Sequence, residues 1–298
     1  MAEDAPAAFR CGHVAIVGRP SVGKSTLLNA LVGARISITS RKPQTTRHRI
    51  AGIVTDDTVQ YVFVDTPGFQ TRHHSTLNER LNRTVRESLS DVDAVVWVLD
   101  AARITPADAA VAALLPADKP VVVAVNKVDA LANKRDLLPR LAELGAMREW
   151  SAIVPISAER GTQLRELKAE IAKVLPQSPP LYPPDELTDR DERFLAAEMV
   201  REKIFRLLGD EVPYATTVTV DSFEQEGKLR RIHATVLVDK ASQRAILLGE
   251  GGSRMKAIAT QARKDMEALF GGSVFLEVWV RVKRGWADDE ASLTRLGY

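Results

Sequence analysis

Two hydrophobic patterns alternate through the first 175 residues. Apolar runs of strand length fall at residues 13–17, 61–64, 92–99, 120–125 and 152–156. They are nearly continuous rather than alternating, which predicts strands covered on both faces. Between them, residues 24–32, 77–89 and 164–174 place apolar side chains three and four apart and predict helices. This alternation predicts an α/β fold, a mostly parallel sheet with helices on both faces. Five prolines then crowd residues 176–184 and predict an extended linker. Beyond it the pattern changes. Ala196, Val200, Ile204, Leu207 and Leu208 lie on one helical face, and two strands meet at the Glu226-Gly227 turn. Two helices flank Gly249–Gly252, and a last strand sets Val274, Leu276, Val278, Val280 and Val282 against a polar face. The order is αββααβ, a smaller α+β domain.

Composition narrows the class without choosing a function. The 298 residues carry a net charge of +2 and are 45% hydrophobic, as expected of folded domains and not of a disordered chain. That charge makes no global case for nucleic acid or membrane. Cys11 is the single cysteine, so there is no internal disulfide framework or cysteine-based zinc site. No apolar run approaches bilayer length, and the N-terminus has no apolar signal region, so a cytoplasmic protein is expected.

The chemistry begins at Gly18-Arg19-Pro20-Ser21-Val22-Gly23-Lys24-Ser25, which fits GxxxxGK[ST] between a strand and a helix. Its glycines let backbone N–H groups and a helix N-terminus surround phosphate. Lys24 reaches the outer phosphates, and the Ser25 hydroxyl is a magnesium ligand. Asp65-Thr66-Pro67-Gly68 ends the next strand, placing a carboxylate where a magnesium-bound water is held and Gly68 where a backbone N–H meets the γ-phosphate. Asn126-Lys127-Val128-Asp129 follows a later strand. Asp129 matches the N1–H and N2–H₂ donors of guanine, a pair that adenine lacks. Asn126 is expected to brace the phosphate loop and touch the base, and Lys127 to cover its face. Ser157-Ala158 fits a loop whose N–H meets guanine O6. Together the four motifs specify GTP, with Mg²⁺.

The arrangement resembles translation-factor-like P-loop GTPases and, more closely, the Era family. The residues that carry the resemblance are Ile38-Thr39-Ser40, Pro43-Gln44-Thr45-Thr46-Arg47-His48-Arg49 and Gly285-Trp286-Ala287-Asp288-Asp289-Glu290. It implies a GTPase domain at 11–178, the linker at 179–189, a type II KH domain at 190–287 and a tail or short helix at 288–298. Thr46 would supply the switch hydroxyl to magnesium, with Thr45 the second candidate. Phe69 occupies the place where many GTPases carry a catalytic glutamine, a hydrophobic substitution that Era-like enzymes share. Intrinsic turnover of about 10⁻³ to 10⁻² per second is expected. Ser21 stands where the family usually has an asparagine that, in related GTPases, helps hold K⁺. The shorter side chain argues against potassium-assisted hydrolysis, and a more than about tenfold stimulation by K⁺ over Na⁺ would refute that reading.

In a KH domain the GxxG turn clamps about four single-stranded nucleotides. Gly249, Glu250, Gly251 and Gly252 fill that turn, with Arg254, Lys256, Arg281 and Lys283 as basic partners. Acidic and basic side chains balance from Asp189 onward, and Glu250 is acidic where the family usually has polar or basic residues. The resemblance implies binding to the 3′ end of small-subunit ribosomal RNA, a role in assembling the 30S-type subunit, and a monomer. Two rival readings stay open: an RNA-binding module whose hydrolysis is incidental, and a GTPase held weakly at anionic cell membrane surfaces. Trp279 and Trp286 are read as packing residues. His73-His74 has no clustered ligand partner and is not read as a metal site.

Overall fold

A computed structural model of the chain describes residues 8–40, 42, 45–69, 76–209, 212–296 and 298. Pro43, Gln44 and the His73-His74 pair lie outside the described residues. The chain forms two compact units, and the main division falls between Asp189 and Arg190.

The first unit contains strands β1 (Arg10–Val17), β2 (Ile50–Thr55), β3 (Val59–Asp65), β4 (Ala94–Asp100), β5 (Val121–Asn126) and β6 (Ala152–Pro155). Its helices are α1 (Lys24–Val32), α2 (Thr76–Ser90), α3 (Pro106–Ala112), α4 (Leu137–Met147) and α5 (Leu164–Val174), although the first turn of α2 clusters with the second unit. The sheet order is β2-β3-β1-β4-β5-β6. The β2–β3 pair is antiparallel and the other pairs are parallel. The parallel strands end at one edge, and the chain leaves that edge through the loops that carry the motifs. β2 is absent from the sequence reading because Gly52 interrupts a short run. A Cβ there would come within 2.6 Å of Leu28, so the glycine lets α1 lie close to the sheet.

The proline-rich stretch is not a free spacer. The Gln60 carboxamide, wholly buried on β3, accepts from the N–H groups of Leu181 (2.7 Å) and Tyr182 (3.0 Å) and donates to the Tyr182 carbonyl at 2.8 Å. Further on, Ile53 N–H donates to Leu187 O at 2.9 Å. Residues 176–189 therefore run as a strap along the first unit. The prolines, which have no N–H to place, alternate with the donating residues Ser178, Leu181 and Tyr182.

The second unit holds α6 (Glu192–Leu207), β7 (Thr216–Glu226), β8 (Leu229–Val238), α7 (Ala241–Leu248), α8 (Ser253–Phe270), β9 (Ser273–Val282) and α9 (Glu290–Arg295). Its sheet order is β7-β8-β9, with β8 and β9 parallel. Ala196, Val200 and Ile204 of α6 enter the core with Ile232, Val236, Ile258 and Met266. Leu207, assigned to that face from its spacing, is exposed, and the neighbouring Leu208 takes the core position with Ala196, Val200 and Ile204. Trp286 is fully buried, its indole N–H donating to Ala215 O at 3.0 Å. Trp279 departs from the packing expectation: it stands 57% exposed on the outer sheet face, pointing away from the helices that cover the other side.

Candidate functional site

The phosphate loop joins β1 to α1 and is braced from neighbouring strands. A Cβ on Gly18 would stand 2.4 Å from the Val98 carbonyl of β4, and one on Gly23 would stand 2.4 Å from Asn126 Nδ2. Only glycine permits both approaches, and Gly23 also has a φ of 102°. Asn126 Nδ2 donates to Val22 O at 2.9 Å, and Lys127 Nζ donates to Ser21 O at 2.7 Å. The loop is thus held by the end of β5 and the residue that follows it.

Lys24 is 6% exposed, and its ammonium donates to the carbonyls of Gly18 (3.0 Å) and Arg19 (3.1 Å). Burial pushes its pKa down to about 8; the Asp65 carboxylate opposes the shift, and the Arg19 guanidinium adds to it. Arg19 contributes backbone to the loop but aims its side chain elsewhere, to the buried Asp108 (3.0 Å) and the Arg103 carbonyl (3.0 Å). Asp108 was not singled out from the sequence. Its carboxylate also accepts from the Thr105 N–H and hydroxyl, both at 2.8 Å. The Thr105-x-x-Asp108 spacing before a helix is a readable signal for that capping role.

The Ser25 hydroxyl donates to Asp65 Oδ2 at 2.7 Å, so α1 and β3 bring together two hard oxygen donors beside the loop. That donor set fits Mg²⁺, which takes few protein ligands and keeps water and phosphate oxygens for the rest. Among the described residues no group of three or more His, Cys, Asp or Glu offers an alternative all-protein metal site. Thr66 is buried and donates to Ile16 O at 2.9 Å, tying the start of its loop to β1. Gly68 lies against Pro20, where a Cβ would be 3.0 Å from the ring and backbone. Phe69 packs onto the core beside β4, with the Arg86 guanidinium 6.0 Å from its ring centre. It offers water no hydrogen bond.

On the guanine side, Lys127 has a φ of 68°, and its ammonium also pairs with Asp100 at 2.8 Å. Asp129 Oδ1 is inaccessible to solvent and has no hydrogen-bond partner among the described residues. The other oxygen is 3.7 Å from Arg160 Nε. A buried acceptor without a donor is costly, and a purine with adjacent N–H groups supplies what it lacks. The Ala158 N–H is already donated to Asn126 Oδ1 at 2.9 Å, so contact with guanine O6 requires sharing that proton. Ser157 is buried beneath it, and its hydroxyl accepts from Arg160 N–H at 3.1 Å.

Thr45 and Thr46 are buried on the Ser37–Arg47 segment, which clusters with the second unit. The Thr45 hydroxyl donates to Lys42 O at 2.8 Å. In the GxxG turn, Gly249, Gly251 and Gly252 have φ values of 71°, 56° and 79°. Glu250 lies exposed within the turn. The exposed Arg254 donates to Ile246 O at 2.6 Å, tying α8 to α7, and Lys256 is exposed one turn along. Arg281 stands on the outer face of β9 and Lys283 just past its end; both lie away from the turn in sequence and on a different element.

A family model described as 50S ribosome-binding GTPase matches residues 13–127, and a KH domain model matches residues 211–287. GTPase Era of Chromobacterium violaceum is 55% identical over 289 residues, covering 97% of this chain and 98% of that protein. GTPase Era of Nitrosomonas eutropha is 52% identical over 290 residues, with the same coverage of 97% and 98%. Among solved structures, a point variant of Aquifex aeolicus Era bound to GDP and AlF₄⁻ aligns with a TM-score of 0.94 at 36% identity, covering 97% of this chain and 99% of that one. Era in complex with MgGDPNP and nucleotides 1506–1542 of 16S ribosomal RNA aligns with a TM-score of 0.93 at 36% identity and the same coverage of 97% and 99%. Likeness of this extent runs through both units, and the chain belongs to the Era family of GTPases.

Proposed function

We propose that the protein is a GTP-hydrolysing switch that binds the 3′ end of small-subunit ribosomal RNA and assists assembly of that subunit in the cytoplasm. The observation that carries the nucleotide half is the buried, donor-less Asp129 Oδ1 beside the strand that also braces the phosphate loop. The RNA half rests on the GxxG turn between α7 and α8, and on the solved Era complex that contains 16S ribosomal RNA.

The chain's own groups divide the work. The phosphate loop binds and orients the triphosphate, and Lys24 brings positive charge to its outer oxygens. Ser25, Asp65 and, from the first switch segment, Thr46 would hold Mg²⁺, which when bound with nucleotide neutralises charge on the β- and γ-phosphate oxygens. Phe69 cannot orient water, so the expected intrinsic rate is slow and leaves the triphosphate state long-lived. The test is fluorescence anisotropy of a labelled ribosomal RNA 3′-end oligonucleotide with protein loaded with a GTP analogue or with GDP. Tighter binding in the triphosphate state, lost when Gly251 and Gly252 are both changed to Asp, is expected. Equal affinity in the two states would sink the switch, since a ligand without preference shifts no population.

A further inference from the structure

The segment that carries the switch threonines is anchored by a buried cation. Arg47 is 2% exposed and donates to three carbonyls of the second unit: Thr216 (2.8 Å), Tyr214 (2.9 Å) and Pro213 (3.3 Å). Its guanidinium also faces the rings of Phe205 at 5.7 Å and Trp286 at 6.0 Å. At the other end of the segment, Thr39 N–H and hydroxyl donate to buried Glu202, at 2.9 and 3.2 Å. Arg206 closes over that contact, reaching Thr39 Oγ1 at 2.8 Å and Glu202 at 3.1 Å. In between, Lys42 donates to the carbonyls of Leu208 and Gly209.

The chemistry of this seat suits a segment that must come and go. α6 turns one face to the apolar core and presents Glu198, Arg201, Glu202 and Arg206 elsewhere, three of them buried. An apolar seat would hold the segment by burial that water opposes undoing. A charged one is hydrated when uncovered, so releasing the segment costs less than uncovering an apolar seat of the same area. Arg47 is one residue from Thr46, so fixing its guanidinium restrains the backbone that carries Thr46.

We infer that Arg47 is a positioning residue for the triphosphate: docked on the Pro213, Tyr214 and Thr216 carbonyls, it holds the adjoining Thr45 and Thr46 in place before nucleotide binds. The inference rests on the GTP reading above and deepens it by assigning order in the switch to the RNA-binding unit. GDP, which does not call on Thr46, gains nothing from this order. The triphosphate gains in proportion to the fraction of molecules whose segment is ready.

The full-length protein and Arg47→Met, which keeps the stem and removes the donors, are compared in two measurements. Hydrogen exchange without nucleotide should show the amides of Thr39, Thr45 and Thr46 protected in the parent and exposed in the variant. Fluorescent GTP-analogue affinity should fall about tenfold in the variant, as for loss of a charged hydrogen-bond group, while GDP affinity changes less than about twofold. Arg206→Ala, at a half-exposed position, should give a smaller loss of the same kind, and it carries the test if Arg47→Met does not fold. Arg47→Lys should recover part of the discrimination. Unchanged exchange, an equal loss for both nucleotides, or tighter binding of the GTP analogue would overturn the inference. Failure of the parent to bind either guanine nucleotide would instead sink the GTP reading and leave the exchange result to judge Arg47.

Discussion

The phosphate loop and the GxxG turn are both glycine-rich turns that open a helix, yet they are built on opposite plans. Around the first, an added methyl at Gly18 or Gly23 collides with Val98 or Asn126, and the only lysine of the loop is buried. Around the second, only Gly249 is tight, against Arg254; a methyl at Gly251 or Gly252 meets nothing within 4 Å, and the central side chain is the exposed Glu250. One turn is closely packed because three strands converge on it. The other is open on the side where a ligand's backbone would lie. A small, invariant anion such as a phosphate chain rewards a fixed cradle. A flexible single strand rewards a turn that can close on it.

The contrast breaks most sharply at Gly23. Gly23→Ala sets a Cβ 2.4 Å from Asn126 Nδ2 and should lower GTP-analogue affinity more than about a hundredfold, combining backbone strain with a broken brace. Titration calorimetry would show it, and RNA binding by the nucleotide-free protein should be unchanged.

The buried lysine gives the next effect. Burial holds the Lys24 pKa down to about 8, and the negative charge of a bound phosphate favours its protonated form. Affinity is therefore complete below that pKa and is lost as pH rises through it, by up to about tenfold per unit. A GTP-analogue affinity that is flat from pH 7 to 9.5 would contradict the buried, protonated lysine. At the open turn the effects shrink. Gly251→Ala forces a side chain into a left-handed conformation at a cost of about 1 kcal/mol, with no collision, so RNA affinity should fall about fivefold with GTP binding intact. Glu250→Gln is the mildest: RNA affinity should rise about two- to threefold at low salt, and the gain should fade as salt screens it. A gain that persists at high salt would mean Glu250 acts by contact and not by charge.

The two turns also differ in how legible they are. GxxxxGK[ST], Asp65–Gly68 and Asn126–Asp129 are readable because the chemistry of phosphate and guanine fixes residue types at fixed spacing, and the apolar runs around them fix the strands. What lies outside that grammar depends on tertiary contact. The strap over Gln60 reads as linker because its proline content says extended and nothing local says extended against what. β2 goes unread because Gly52 serves the approach of α1 and not the strand. Leu207 matches the helical spacing, but Leu208, four residues after Ile204, takes the core position instead. The charged face of α6 looks like a solvated surface, since a sequence shows Glu202 and Arg206 without showing Thr39 laid across them. Asp108 is within reach, through its spacing from Thr105.

The strap has a consequence for the order in which the chain is made. Ser178 N–H donates to Phe9 O at 3.1 Å, and Cys11 N–H donates to Pro176 O at 3.2 Å, so the start of β1 is finished by residues synthesised last in its unit. The seam joins the two ends of the unit, a non-local closure of the kind that slows folding. A nascent chain stalled before Pro176 has every nucleotide motif synthesised, yet lacks the seam along β1 and the strap that satisfies Gln60. The first unit therefore locks only as the second begins to emerge, which places the two units in sequence on the same folding clock.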